Sequence, residues 1–251
     1  MQKRGQSTIF IAVAVIIVLI LALFSYYSSV LSKGESAKDT LTIPQTVENL
    51  KSAIKQCLDD SLAYSTYLVA SHGGSMLNTN TMEIPELGKI QMGYNEATNS
   101  VNLPQEKEIT KQISASVETE IERCANINEN FPGLIKESNK PIVSVSMENN
   151  RIKARLQYPV VVKQGTTEAR VLETYLSSLD VDFLKLLKTA NDLLDTIKKD
   201  PAYLDLYFIQ NAPVSITFLP LENQKGVFIL TDENSLIKNI PLSLVFGAQY
   251  K

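Results

Sequence analysis

The most apolar stretch of the chain lies close to its N-terminus. Residues 9–24 carry no charge and no side chain more polar than alanine, and a weaker apolar stretch continues to Leu31. A helix of about 22 residues is about 33 Å long, enough to cross the roughly 30 Å core of a bilayer. A cleaved signal would have a shorter apolar region and a small-x-small site. The pattern therefore predicts a retained transmembrane helix over residues 9–31.

The charges that flank this segment predict its orientation. Lys3 and Arg4 precede it, whereas the positive and negative residues of 33–39 cancel. The positive-inside rule therefore places residues 1–8 in the cytoplasm and the rest of the chain outside the cell. Residues 32–44 are polar and are predicted to form a linker. Residues 45–251 then form an extracytoplasmic domain.

Three segments of this domain have the apolar period of a helix packed on one face. The first starts at Thr46 and ends at Gly73-Gly74, where glycine permits a C-terminal cap. The second is opened by Pro104 and runs to Cys124. The third follows Ser177-Ser178, which are predicted to cap it, and its apolar stripe covers residues 183–197.

Other segments alternate apolar and polar residues, as half-buried strands do. Residues 143–147 and 152–158 alternate on either side of Asn149-Asn150, which predicts a β-hairpin whose second strand extends past Pro159 to Val162. Further strands are predicted at 89–94, 100–103, 214–219, 226–230 and 241–248. The order of elements predicts an α+β fold with about three helices packed on an antiparallel sheet. A subdivision near residue 138 is compatible with it.

Cys57 and Cys124 are the only cysteines, and each lies on the apolar face of its own predicted helix. In an oxidising exterior this pattern favours one disulfide between them. The alternatives are two buried free thiols or, least favoured, a reactive or metal-bound pair. Two cysteines and one histidine are too few to predict a metal site.

Charge and motifs narrow the functional classes. Without Lys3 and Arg4, 22 basic and 27 acidic residues remain, which argues against nucleic-acid binding. His72 is interpreted as a helix-end cap residue, and Asp59-Asp60 as a solvated helix edge. There is no phosphate loop, HExxH, CxxC or calcium-loop motif. We therefore predict no catalytic, metal-binding or cofactor-binding residues, no cofactor and no enzyme activity.

The N-terminus also carries a family resemblance. Lys3-Arg4-Gly5-Gln6 followed by the apolar run resembles the class III (type IV pilin-like) signal sequences of archaea. The resemblance implies cleavage between Gly5 and Gln6 with the apolar helix retained. Phe10 stands where pilins often carry an acidic residue that pairs with a neighbouring subunit.

The wider layout is similar to that of archaeal membrane-anchored envelope proteins. These share the KRGQ-type start, a cysteine helix that ends in Gly-Gly, a second cysteine helix, and a tail like residues 227–232 and 246–250. This likeness implies a cell-surface location and no particular activity.

Two functional hypotheses follow. The first is a single-pass cell-surface protein with a structural or interaction role, of which a pilin-like subunit is one form. Its expected partners are membrane lipid, further copies of the chain or other envelope proteins. The alternative is an extracytoplasmic binding module for a peptide or small solute. That module would use a groove between sheet and helices rimmed by Tyr158, Tyr203 or Tyr207.

Overall fold

The computed structural model describes residues 43–76, 80–84, 88–125, 131, 135–138, 140–164, 166–201 and 204–250. The predicted cytoplasmic segment, the transmembrane helix over 9–31, the Gly5-Gln6 processing site and the linker up to residue 42 lie outside this part of the chain. Within it, no helix combines the length and the apolar character needed to cross a membrane. Residues 43–251 form one compact unit.

The described part of the chain contains four α-helices and twelve β-strands. The helices are α1 (Ile43–Ser71), α2 (Glu106–Ala125), α3 (Phe183–Lys199) and α4 (Leu206–Asn211). The strands before residue 150 are β1 (Thr81–Ile84), β2 (Gly88–Asn95), β3 (Ser100–Val101), β4 (Ile135–Ser138) and β5 (Ile142–Glu148). Those after it are β6 (Arg151–Gln157), β7 (Val160–Gln164), β8 (Thr167–Val171), β9 (Thr174–Leu179), β10 (Ser215–Leu221), β11 (Lys225–Ile237) and β12 (Ile240–Gln249).

The predicted α+β class is confirmed, but the described strands form three sheets rather than one. The large sheet has the order β1-β2-β12-β11-β10, with β3 also paired to β2. Its β2–β12 pair is parallel, whereas its other pairs are antiparallel. The small sheet, β5-β6-β9, and a third sheet, β4-β7-β8, are antiparallel.

The predicted hairpin around Asn149-Asn150 is present as β5 and β6, but its second strand ends earlier than expected. Glu148 pairs with Arg151 across the turn, and Asn150 has a φ of 62°. The strand stops at Gln157 because Pro159 has no backbone N–H to donate to a neighbour. The chain then joins the third sheet as β7, so residues 160–162 do not extend β6.

The third helix begins later than its predicted cap. Ser177 and Ser178 lie in β9, and the N-cap is Asp182, whose carboxylate accepts a hydrogen bond from the N–H of Lys185 at 3.0 Å. The predicted C-terminus is correct, with Lys198 and Lys199 in the last turn. An aspartate and a serine are equally good caps, so the long-range strand pairing of β9 decides between them.

One continuous apolar core lies between the helices and the sheets. It joins the buried stripes of α1, α2 and α3 to the inner faces of the small and large sheets. The opposite face of the large sheet carries a second buried cluster of Met82, Ile84, Ile90, Met92, Val227 and Val245. The large sheet is therefore packed on both faces.

Candidate functional site

The small sheet has one packed and one open face, and the open face is the first candidate site. Alternate residues point inward and are buried, among them Val143, Met147, Ile152, Leu156 and Tyr175. The residues between them point outward and are exposed: Ser144, Ser146, Lys153, Arg155, Leu176 and Ser178. We call these six side chains the outer face. They border a shallow depression of about 720 Å³.

The strand register brings the outer-face side chains together in two rows. Ser144 lies opposite Arg155, which lies opposite Leu176; Ser146, Lys153 and Ser178 form the next row. Directly opposed side chains of neighbouring strands have Cβ atoms about 4.5–5.5 Å apart. Arg155 is therefore central, with a hydroxyl on one side and an apolar side chain on the other. Leu176 is 64% exposed.

Most charges around the outer face are paired, but Arg155 has no ion-pair partner in the described part of the chain. Lys153 contacts Glu148 at 2.7 Å, and Arg151 contacts Asp180 at 2.8 Å. Among the described side chains, no carboxylate or hydrogen-bond partner engages Arg155. Its planar guanidinium presents several N–H donors in a geometry that matches a carboxylate. The arrangement can bind an acidic group without first breaking an ion pair.

Side chains of α1 and α2 hold the small sheet in place. The N–H groups of Val143 and Val145 in β5 donate to the Glu118 carboxylate at 2.8 Å and to the Ser114 hydroxyl at 3.1 Å, both on α2. On β9, the Ser177 hydroxyl donates to the Asp59 carboxylate of α1 at 2.6 Å. The edges of the small sheet are thus fastened by side chains of the helices.

Asp59 and Asp60 lie at a solvated edge of α1, as predicted, with side chains that are 48% and 49% exposed. Both residues also have long-range partners that the sequence does not indicate. Asp59 accepts hydrogen bonds from Ser177 and from Lys55 on its own helix. Asp60 pairs with Lys238, in the turn between β11 and β12, at 2.7 Å. Adjacent residues of a helix project in different directions. Asp59 therefore ties α1 to the small sheet, and Asp60 ties α1 to the large sheet.

His72 and the two glycines close α1. A ring nitrogen of His72 lies 2.8 Å from the carbonyl oxygen of Leu68, and the N–H of Gly74 donates to Val69 at 2.8 Å. Gly73 and Gly74 have φ values of 75° and 87°, which favour glycine. His72 therefore satisfies a helix-end carbonyl, as its position in the sequence indicates.

The predicted disulfide joins Cys57 of α1 to Cys124 of α2. The Cα atoms are 5.8 Å apart, and the two residues are separated by 67 positions in the chain. The bridge connects the two helices whose side chains fasten the small sheet. It excludes both alternatives, free core thiols and a reactive or metal-bound pair.

A cleft between α3 and α4 is the second candidate site. It encloses about 560 Å³ and has Tyr207 and Phe208 of α4 in its wall. Tyr207, one of the predicted rim residues, is 77% exposed. Tyr158 is instead buried in the core, where loss of solvent raises the pKa of its hydroxyl. Tyr203 lies outside the described residues.

A buried ion pair lies behind this cleft. Asp232 of β11 is 2% exposed and contacts the Lys185 ammonium of α3 at 2.6 Å. Ser235 also donates to this carboxylate at 2.6 Å. Burial alone would raise the pKa of Asp232, but Lys185, Ser235 and the N–H of Asn234 together hold that pKa below its ordinary value. The pair fixes the N-terminal turn of α3 to the large sheet.

Metal binding and known relatives give no further assignment. Within the described segments, no three or more His, Cys, Asp or Glu side chains are arranged to hold a metal ion. No family model, curated protein or solved structure matches the chain. The outer face and the cleft are therefore the two candidate sites of this domain.

Proposed function

We propose that the chain is an extracytoplasmic interaction protein, held at the cell surface by a transmembrane helix over residues 9–31, that binds an acidic partner through the outer face. The membrane anchor is supported by the apolar length and flanking charges of the N-terminal segment. The recognition role is supported by the open face of the small sheet. The single observation that carries it is Arg155, an exposed guanidinium with no ion-pair partner in the described part of the chain.

The composition of the outer face suits recognition of an acidic chain. Arg155 supplies a bidentate donor, and the hydroxyls of Ser144, Ser146 and Ser178 can donate further hydrogen bonds. Exposed Leu176 offers apolar area beside the charge. Arginine is one of the residue types enriched among those that dominate binding energy at interfaces.

The small sheet needs little rearrangement before its outer face binds a partner. Its strands are fastened by the α2 contacts to β5 and by the Ser177–Asp59 hydrogen bond. Rigid sites lose less conformational entropy on binding, so more of the contact energy appears as affinity. A cell-surface interaction protein benefits from such a pre-ordered face.

The acidic-partner proposal is tested with poly-L-glutamate, and poly-L-lysine of equal length serves as the opposite-charge probe. The full chain in detergent should bind polyglutamate, with affinity falling as salt rises. Arg155→Gln should reduce that affinity at least about tenfold, the equivalent of 1.4 kcal/mol. Lys163→Gln removes an exposed cation of β7 outside the outer face and should leave the affinity unchanged. Equal losses in both variants would show that the binding is not localised to the outer face.

The proposed anchor and processing are tested by intact-mass measurement of the protein purified from membranes. Cleavage before Gln6 removes Met1 to Gly5 and leaves the apolar segment in place. Retained Met1 would remove the support for a pilin-like subunit, while a plain anchored domain would remain possible. Recovery of the chain in the soluble fraction after cell lysis would contradict the anchor.

A second candidate function is a binding module for a small solute. The specific observation in its favour is the cleft between α3 and α4, whose volume is in the range of about 300–1,000 Å³ that ligand pockets occupy. The two functions use different faces of the domain and do not exclude each other.

A further inference from the structure

The cleft between α3 and α4 combines an aromatic wall with polar groups of both hydrogen-bonding kinds. The aromatic side chains are Tyr207 and Phe208. Asn149, in the turn between β5 and β6, adds an amide that can donate and accept. Lys188 and Asp192 of α3 add a cation and an anion one turn apart.

Of the five charged side chains that line this cleft, three already have partners within the protein. Asp182 and Asp205 each use a carboxylate oxygen as a helix cap, accepting from the N–H of Lys185 at 3.0 Å and of Phe208 at 2.9 Å. The Lys185 ammonium is engaged by Asp232 at 2.6 Å. The carboxylates would repel a free anion, and the Lys188 ammonium would repel a free cation. The lining therefore favours an uncharged polar ligand.

Two groups of opposite charge remain available in the cleft. Lys188 and Asp192 have no ion-pair or hydrogen-bond partner among the described residues, although they are spaced as helix neighbours. An ammonium only donates and a carboxylate only accepts. A ligand hydroxyl can satisfy either, and adjacent hydroxyls can satisfy both.

The position of Tyr207 gives the ligand a second requirement. Tyr207 is 77% exposed. The helix that carries it is held by the Asp205 cap at one end and by a hydrogen bond from the Asn211 amide to the Tyr207 carbonyl at 2.8 Å. An exposed ring at the rim of a cleft offers a flat apolar surface with a polar tip. The complementary ligand has an apolar C–H face and hydroxyls around its edge.

We infer that the cleft binds a neutral saccharide, with Tyr207 stacking on the sugar ring and Lys188, Asp192 and Asn149 bonding to its hydroxyls. This inference rests on the second candidate function, the small-solute module, and names its ligand class. It is independent of the outer face and of Arg155.

The test is saturation-transfer NMR on the full chain in a polyoxyethylene detergent, which contains no sugar. The probes are glucose, galactose, mannose and N-acetylglucosamine, with tetra-alanine, methylammonium and acetate as non-sugar competitors. At least one sugar should receive saturation. Tyr207→Ala and Asp192→Asn should each weaken its binding at least tenfold. Tyr64→Ala removes another exposed tyrosine, on α1, and should have no effect.

Each contrary outcome has a distinct meaning. If tetra-alanine binds and every sugar fails, the saccharide inference is overturned while the small-solute module stands. If methylammonium or acetate binds more tightly than the sugars, the cleft selects charge and the inference is also wrong. If no probe binds at all, both the inference and the second candidate function fall. Sugar binding that survives Tyr207→Ala would place the site elsewhere and overturn the assignment.

Discussion

The large and small sheets show two ways of using a strand. In the large sheet, consecutive residues of β11 such as Val227 and Phe228 are both buried, one in each apolar cluster. In the small sheet, β6 alternates strictly between buried and exposed residues. Strands buried on both faces give continuous apolar runs, whereas half-buried strands alternate. The large sheet therefore contributes stability through both faces, whereas the small sheet leaves one face exposed to solvent.

The largest effect on the free energy of unfolding is expected when a lysine is placed on the second face of the large sheet and, for comparison, on the open face of the small sheet. Val227 is 1% exposed on the second face of the large sheet, and Thr174 is exposed on the open face of the small sheet. Val227→Lys buries an unpaired charge and should lower the free energy of unfolding by at least about 4 kcal/mol. Thr174→Lys should change it by less than about 0.5 kcal/mol. Chemical denaturation measures both values.

Similar losses of unfolding free energy for the two lysine variants would contradict the claim that the large sheet is packed on both faces and the small sheet on one. In particular, a large loss for Thr174→Lys would mean that another part of the protein covers the open face. A small loss for Val227→Lys would mean that the second apolar cluster is readily opened.

Removing the disulfide should affect the small sheet more than the large one. The bridge closes a loop across 67 positions, which corresponds to about 4 kcal/mol in the chain-entropy model. It also holds together α1 and α2, which fasten β9 and β5. In the Cys57→Ala/Cys124→Ala variant, amides of β5, β6 and β9 should lose more hydrogen-exchange protection than those of β11 and β12. Uniform loss of protection would show that the bridge acts only on global stability.

The buried Asp232–Lys185 pair gives the large sheet a pH dependence. Because the folded-state pKa of Asp232 is lowered from 3.8, its contribution to stability is present above that value. It is lost as the pH falls through the lower folded-state pKa. Asp232→Asn should cost about 2–3 kcal/mol at pH 7. This deficit relative to the native chain should narrow only in acid below the ordinary pKa.

Urea unfolding at several pH values measures this pH-dependent deficit. Asp192→Asn removes an exposed carboxylate of α3, the helix that carries Lys185, and this carboxylate has no partner among the described residues. This variant should show no such dependence. A deficit that persists unchanged well below the ordinary pKa of an aspartate would contradict the proposed role of the Asp232 charge.

The smallest effect on the free energy of unfolding is expected from Tyr175→Phe, on the packed face of the small sheet. Its hydroxyl is buried without a hydrogen-bond partner in the described structure, and burial raises its pKa to about 12. Tyr175→Phe should therefore leave the free energy of unfolding within about 0.5 kcal/mol or increase it slightly. Tyr94→Phe removes a hydroxyl that donates to Asn99 and is the matched control. A loss above about 1 kcal/mol for Tyr175→Phe would indicate an unrecognised partner for its hydroxyl.

Local pattern predicts much of this fold, because period and turn chemistry act over short distances. The apolar stripes predict α1, α2 and α3, and Asn149-Asn150 predicts the β5–β6 hairpin. The same alternation indicates that Tyr158 lies on the buried side with Ile152 and Leu156, so the predicted position of Tyr158 at a groove rim is wrong. Arg155 alternates with these residues, so the same pattern indicates that its side chain points outward.

Features that depend on distant partners could not be predicted in this way. The pairing of Asp60 with Lys238 spans 178 positions, and Asp232 meets Lys185 only after α3 docks on β11. The parallel pairing of β2 with β12 joins strands that are far apart in the sequence. Nothing in the local sequence distinguishes these residues from residues that have no distant partner.

The most direct test of the central claim compares labelling of two engineered cysteines by a membrane-impermeant maleimide. Ser146→Cys lies on the outer face, and Asp195→Cys lies at an exposed position of α3. After purification both should be labelled at similar rates. In intact cells, Asp195→Cys should be labelled, whereas Ser146→Cys should be protected by the bound partner and become labelled when Arg155→Glu is added. Equal labelling of both in intact cells would contradict recognition through the outer face, and labelling of neither would contradict the extracytoplasmic location.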